Sequence, residues 1–312
     1  MNKRKLILIC VICIFSLKLF ARQYGLVLSG GGGKGAYEVG VWKALQEFGI
    51  ANQVSVISGT SVGGLNAALF SIYSQEEIEN LWKNDVPDFL VPDEDSNELY
   101  ISQSGLEKLI LLAPVENIKK EGFPRIIVSA VRSRFRLLKK LTGTVGTYTH
   151  RFVLNNENPQ EARKMLLATA AMPYLCSPVV LFDGYSYVDG GGDTGLFNYG
   201  GDNLPIEPIY SPDLCQMDNA DSIYDDYSGI TDIIVVYLEK FSPETRRIRA
   251  IDYDRINLIE ISPAIDLGSL FEGTVNFTYN RINLLIQKGY EDACSVLTLK
   301  GYRKVSSHWF KN

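Results

Sequence analysis

The sequence predicts an α/β domain on a mainly parallel sheet. Near the amino terminus, short apolar runs alternate with amphipathic ones in the order strand, helix, strand, helix. Both runs that read as strands end in glycine-rich turns. A chain of 312 residues, 46% hydrophobic and 21% charged, has material for a large core, which excludes a disordered or fibrous protein.

The elements follow in order. Residues 24–29 (YGLVLS) form a short apolar run stopped by glycine, as in a buried parallel strand. Residues 36–49 place Val41, Ala44, Leu45 and Phe48 at helical spacing, and Gly49 closes the helix. A second strand is expected at 53–58 (QVSVIS) and a second helix, opening with small residues, at 62–73. Later strands are expected at 125–131, 179–188 and 232–238, the middle one a hairpin turning at Asp183-Gly184. Helices are expected at 76–83, 105–112, 159–170 and 278–296. No internal repeat or linker interrupts this pattern, so residues 22–312 read as one domain.

Residues 1–21 read as a secretory signal peptide. Lys3, Arg4 and Lys5 head an uncharged run, LILICVICIFSL, and Ala21 offers a cleavage point. The expected location is secreted, periplasmic or cell-envelope; the alternative is an uncleaved anchor in the membrane. The run is shorter than the roughly 20 residues of a spanning helix. Cys10 and Cys13 lie inside it as apolar filler. Removing the segment takes away Lys3, Arg4, Lys5 and Lys18 and no acid, which moves the net charge from −5 to −9. That balance argues against a nucleic-acid partner. The remaining cysteines, Cys176, Cys215 and Cys294, allow at most one disulfide and lack metal-ligand spacing.

Charge is uneven. From Lys119 to Lys140 there are eight basic residues and one acid, Glu121. The stretch reads either as a solvated surface or as a patch for anionic lipid head groups. The acidic run 218–226 lacks the glycine and closing Glu of a calcium loop, so no metal is assigned to it.

Three glycine motifs carry the chemistry. Gly30, Gly31, Gly32, Gly33, Lys34 and Gly35 join the first strand to the first helix. Consecutive glycines let several N–H groups point into one cavity, and the helix terminus adds positive potential. Such a nest suits a phosphate or a transient oxyanion. It is not a P-loop, because Leu28 stands five positions before Gly33. Gly30, Gly32 and Gly35 match a dinucleotide fingerprint, but the acid expected after the second strand is missing at Ile57-Ser58-Gly59.

The second motif is Gly59, Thr60, Ser61, Val62 and Gly63. A serine between small residues, after an apolar strand and before a helix, is the setting of a nucleophile elbow. The helix dipole favours an ionising hydroxyl there. The third motif, Asp189, Gly190 and Gly191, directly follows a strand and supplies the candidate base. Of the two histidines, His150 precedes Asp189, and His308 lies four residues from the end, a poor place to hold a base. Asp183 is explained by its hairpin turn.

Together these residues resemble the patatin-like phospholipase family. GGGGKG, GTSVG and DGG match that family's signatures in order. ATAAMPYLCSP at 168–178, DNLPIEP at 202–208, DLGSL at 266–270 and KGYEDA at 288–293 also match, so the resemblance covers about 24–298. It implies a three-layer α/β/α fold with a mainly parallel central sheet and a Ser–Asp dyad. Ser61 would be the nucleophile, Asp189 the proton acceptor, and amides within Gly30–Gly35 the oxyanion hole, with no metal or cofactor. The implied activity is hydrolysis of (phospho)lipid esters at a peripheral membrane surface. One departure is the stretch 192–201, longer than the family pattern between DGG and DNLP, which bears on substrate preference. The alternatives are an esterase for lysolipids or small esters with the same dyad, and a non-catalytic lipid-binding protein that uses the nest as an anion cradle.

Overall fold

The computed structural model describes residues 22–92, 98, 100–119, 124–132, 148–173, 175–193, 219–220, 223–224, 227, 229–240 and 256–305. The signal segment 1–21, most of the basic stretch 119–140, His308, Cys215, the 202–208 segment and most of the stretches 192–201 and 218–226 lie outside the described residues.

Eight strands form one sheet among the described residues: β1 Tyr24–Leu28, β2 Val54–Thr60, β3 Arg125–Arg132, β4 Tyr148–Val153, β5 Val179–Val180, β6 Ser186–Asp189, β7 Asp232–Val236 and β8 Asn257–Ile261. The hydrogen-bonded order is β5-β6-β3-β2-β1-β7-β8, with β4 also paired to β3. The run from β3 through β2, β1 and β7 to β8 is parallel, and β4, β5 and β6 join antiparallel. The mainly parallel α/β sheet is therefore as expected.

Helices α1 Ala36–Glu47, α2 Val62–Ile72, α3 Gln75–Asn80, α4 Val86–Leu90, α5 Gln103–Leu112, α6 Pro159–Thr169 and α7 Tyr279–Leu299 complete the described frame. The pleat sorts strand residues between two cores. Ile234 and Val236 of β7 face the larger one, with Val41, Leu45, Ile282 and Leu285 of α1 and α7. Ile233 and Val235 face the smaller, which Ala220, Ile223 and Ile230 close from the other side. Both faces of the sheet are thus covered, as a parallel sheet requires.

Two expectations change in detail. The helix expected at 76–83 begins at Gln75, where Ser74 and Glu77 form a capping box, and Leu81–Asp85 then widens into a π turn before α4. Pro87 has no N–H to donate to the preceding turn, which accounts for the local widening. Strands β4 and β8 were not expected from the sequence.

The strand order reverses at β1. Its following helix leads to β2 on one side, while β7 lies on the other. Open α/β sheets bind ligands outside the carboxyl ends of strands at such a point. The glycine nest leaves β1 there, and the GTSVG turn leaves β2 beside it.

Candidate active site

Ser61 occupies the turn between β2 and α2 with φ 55° and ψ −127°, the one positive φ at a non-glycine position among the described residues. This is the strained backbone of an elbow. The hydroxyl does not cap its own helix; it lies near enough to the Asp189 carboxylate to favour that group's ionised form. The turn closes because position 59 is glycine: a Cβ there would lie 2.3 Å from the Gly63 carbonyl oxygen.

The Ser61 backbone is held from α6. Its N–H donates to Thr169 Oγ1 at 2.9 Å, and the Thr169 hydroxyl donates to the Ser129 carbonyl at 2.6 Å. Two residues further on, the Ala171 carbonyl accepts from the Asp189 N–H at 2.9 Å. One short segment, 169–171, therefore fixes the backbones of both Ser61 and Asp189.

Asp189 ends β6 and is buried. Its Oδ1 accepts the Gly191 N–H at 2.7 Å. Burial pushes its carboxyl up to about 6, against the opposing pull of the Ser61 hydroxyl and the Gly191 amide. Gly190 lets the chain pass close by: a Cβ there would meet the Ser129 carbonyl oxygen at 2.4 Å.

The nest lies next to this pair. A Cβ on Gly30 would stand 3.3 Å from Ser61 Cβ. Gly32–Gly35 form a 3-10 turn, in which the Lys34 N–H is taken by the Gly31 carbonyl at 3.1 Å. The Lys34 side chain is buried with its Nζ 3.6 Å from Glu239 Oε1, so its charge is drawn to the end of β7. The amides of Gly31, Gly32 and Gly33 remain the candidate donors to an oxyanion.

Asp183 behaves as a turn residue. It accepts from the Tyr185 N–H at 3.0 Å and the Tyr187 hydroxyl at 2.6 Å, and Gly184 adopts φ 77°. His150 sits on β4, opposite Ala130, whose other partner is Asp189. A whole strand therefore separates it from Asp189, and its ring packs against Phe152 and Tyr187. Of the basic stretch, Arg125 donates to Asn156 Oδ1 at 2.9 Å. Among the described residues no cluster of three or more His, Cys, Asp or Glu is placed for a metal ion, and no helix is long and apolar enough to cross a membrane.

Three groups were missed in the sequence. Thr169 was noticed only within the ATAAMP match. Glu38 of α1 is completely buried, its Oε1 accepting the Ser29 N–H and its Oε2 the Asn66 Nδ2, each at 2.8 Å. Burial pushes its carboxyl up to about 8 despite those two donors. Asn66 also reaches the Gly35 carbonyl at 3.0 Å. The signal for Glu38 was an acid on the first turn of the helix, set among Ala36, Tyr37, Val39 and Val41.

The family model for patatin-like phospholipase matches residues 26–210, more than half of the chain, and the chain belongs to that family. A lysophospholipase, nte1, of Aspergillus terreus is 50% identical over 54 residues, 17% of this chain and 3% of that protein. The neuropathy target esterase sws of Drosophila melanogaster is 26% identical over 223 residues, 68% of this chain and 14% of that protein. This chain thus spans only a small part of the length of either relative. Among solved structures, VipD from Legionella pneumophila overlaps with TM-score 0.42 at 13% identity, over 89% of this chain and 67% of VipD. ExoU from the type III secretion system of Pseudomonas aeruginosa, in its complex with SpcU, overlaps with TM-score 0.44 at 14% identity, over 90% of this chain and 53% of that one.

Proposed function

We propose that this protein is an exported serine acyl hydrolase that cleaves ester bonds of glycerophospholipids through a Ser61–Asp189 dyad. The observation that carries the reading is the strand register that sets Ser61, at a strained helix N-terminus, beside the buried Asp189. Family membership supports lipid esters as the substrate class.

In this mechanism Asp189 takes the Ser61 proton as Oγ attacks the ester carbonyl carbon. The carbonyl electron pair moves to oxygen, and the amides of Gly31 and Gly32 stabilise the oxyanion. Collapse expels the alcohol, which leaves with the proton held by Asp189. Water then attacks the acyl-serine, giving up its proton to Asp189, and the fatty acid departs as Oγ regains a proton. A carboxyl raised to about 6 is a stronger base than an ordinary aspartate, yet remains ionised at neutral pH.

The test is fatty-acid release from phosphatidylglycerol vesicles and from a soluble p-nitrophenyl ester. The wild-type protein releases fatty acid from vesicles and the Ser61→Ala protein releases none. Cleavage of the soluble ester alone would shift the reading to a small-ester esterase. Vesicle binding without release by either protein would replace it with a lipid-binding role.

A further inference from the structure

We infer that Glu38 is a positioning residue that fixes the glycine nest against the helix carrying the nucleophile. The inference rests on the reading of that nest as an oxyanion hole.

Glu38 is tied to both ends of the nest, through Ser29 just before it and through Asn66 to its last residue. Its Oε1 holds the N–H of Ser29, the residue before Gly30, and the Ser29 hydroxyl in turn donates to the Val236 carbonyl of β7 at 2.5 Å. Its Oε2 holds Asn66 Nδ2, which also donates to the carbonyl of Gly35, the last residue of the nest. Asn66 lies on α2, five residues after Ser61, and its Oδ1 accepts from Trp82 Nε1 at 3.0 Å. Asn66 is itself fully buried, so nothing here depends on a mobile surface side chain.

The chemistry of the fork explains the acid. Both groups facing Glu38 are N–H donors, and a carboxylate presents two acceptors to them at once. An amide of the same size would turn an NH2 toward one of the donors, leaving buried polar groups unsatisfied. The mechanism proposed for Ser61 and Asp189 gives Glu38 no proton to move, and an acid kept buried without such a task is costly. What it does is tie three separate elements, β1, α1 and α2, around the loop whose amides must meet the oxyanion. An oxyanion hole works through donors already in place, and a misplacement of about 1 Å costs on the order of 10²-fold in rate.

The test uses Glu38→Gln, assayed on a soluble p-nitrophenyl ester at pH 9, where the wild-type carboxyl is ionised. The expected result is a fall in kcat of about 10- to 100-fold, with KM within about twofold because substrate binding away from the reacting carbon is untouched. Amide hydrogen exchange should speed up across residues 29–35 while β3 and α7 keep their protection. Asn66→Ala, which removes the donor to both Glu38 and the Gly35 carbonyl, should lower kcat and speed exchange at 29–35 in the same way, and combining it with Glu38→Gln should add little further loss. Wild-type kcat in Glu38→Gln, exchange accelerated evenly over the whole chain, or losses that simply add in the double variant, would overturn the inference. If the wild-type protein shows no turnover that depends on Ser61, the hydrolase reading fails instead; the exchange pattern still decides whether Glu38 holds the nest.

Discussion

Thr60 and Asp189 occupy successive rungs on one edge of β3. Thr60 pairs with Ser129, and Asp189 pairs with the next residue, Ala130. Strand β4 pairs with both Ser129 and Ala130, so it fills the opposite edge. Strands β2 and β6 must therefore share an edge and run head to head, one parallel and the other antiparallel to β3. The residue that follows β2 is Ser61, and the residue that ends β6 is Asp189. The strand register itself brings the hydroxyl and the carboxylate together, and Thr169 and Ala171 secure the backbone on either side.

The raised Asp189 carboxyl sets a pH dependence. As the proton acceptor it must be ionised, so kcat/KM for a soluble ester should fall below an apparent pKa near 6, beneath the shallower step near 8 that protonation of Glu38 adds and Glu38→Gln removes. Stability follows the opposite course. A folded carboxyl lifted from 3.8 to about 6 binds its proton more tightly than in the unfolded chain, so its contribution is full below about 4 and is lost as pH rises through 6. Asp189→Asn removes this titration. The variant's stability relative to wild type should rise by roughly 3 kcal/mol between pH 3 and pH 7 and then level off, as read by denaturant titration across that range.

The strained backbone of Ser61 predicts a difference between two inactive variants. Glycine adopts φ 55° freely and alanine does not. Strain of about 1–3 kcal/mol, less about 0.5–1 for glycine's freedom in the unfolded chain, should leave Ser61→Gly more stable than Ser61→Ala by about 1–2 kcal/mol. Equal stability would mean that the turn relaxes without the serine.

Thr169 supplies a donor and an acceptor at once, to the Ser129 carbonyl and from the Ser61 amide. Thr169→Val keeps the shape and leaves both partners unsatisfied. It should cost about 2–4 kcal/mol of stability and lower kcat, whereas Thr169→Ser keeps the hydroxyl and most of the activity. Thermal melts and ester kinetics on the two variants check this.

What was legible in the sequence was local. The elbow at 59–63 is written in one strand, one turn and one helix start, and the hairpin turn at Asp183-Gly184 in two residues. The nest needed only its glycines. Groups whose meaning lies in a distant partner were not legible. Glu38 draws its role from Ser29 and Asn66, on β1's exit and on α2, and Thr169 draws its role from Ser61, 108 positions away. Strand β4 was missed because His150 and Arg151 break an apolar pattern along TYTHRF, though its pairing with β3 is what places β2 and β6 on one edge. Lys34, whose amide was grouped with the oxyanion hole by sequence position, turns its side-chain ammonium to Glu239, a partner the sequence did not point to.

In the proposed mechanism Asp189 arms Ser61. A fluorophosphonate probe, followed by peptide mass mapping of the adduct, tests it most directly. The account predicts one adduct on the peptide containing Ser61, formed at the wild-type rate in His308→Ala and slowed by about 10²- to 10⁴-fold in Asp189→Asn. A folded protein that takes up no probe at Ser61, or labels as fast without Asp189 as with it, would contradict the account.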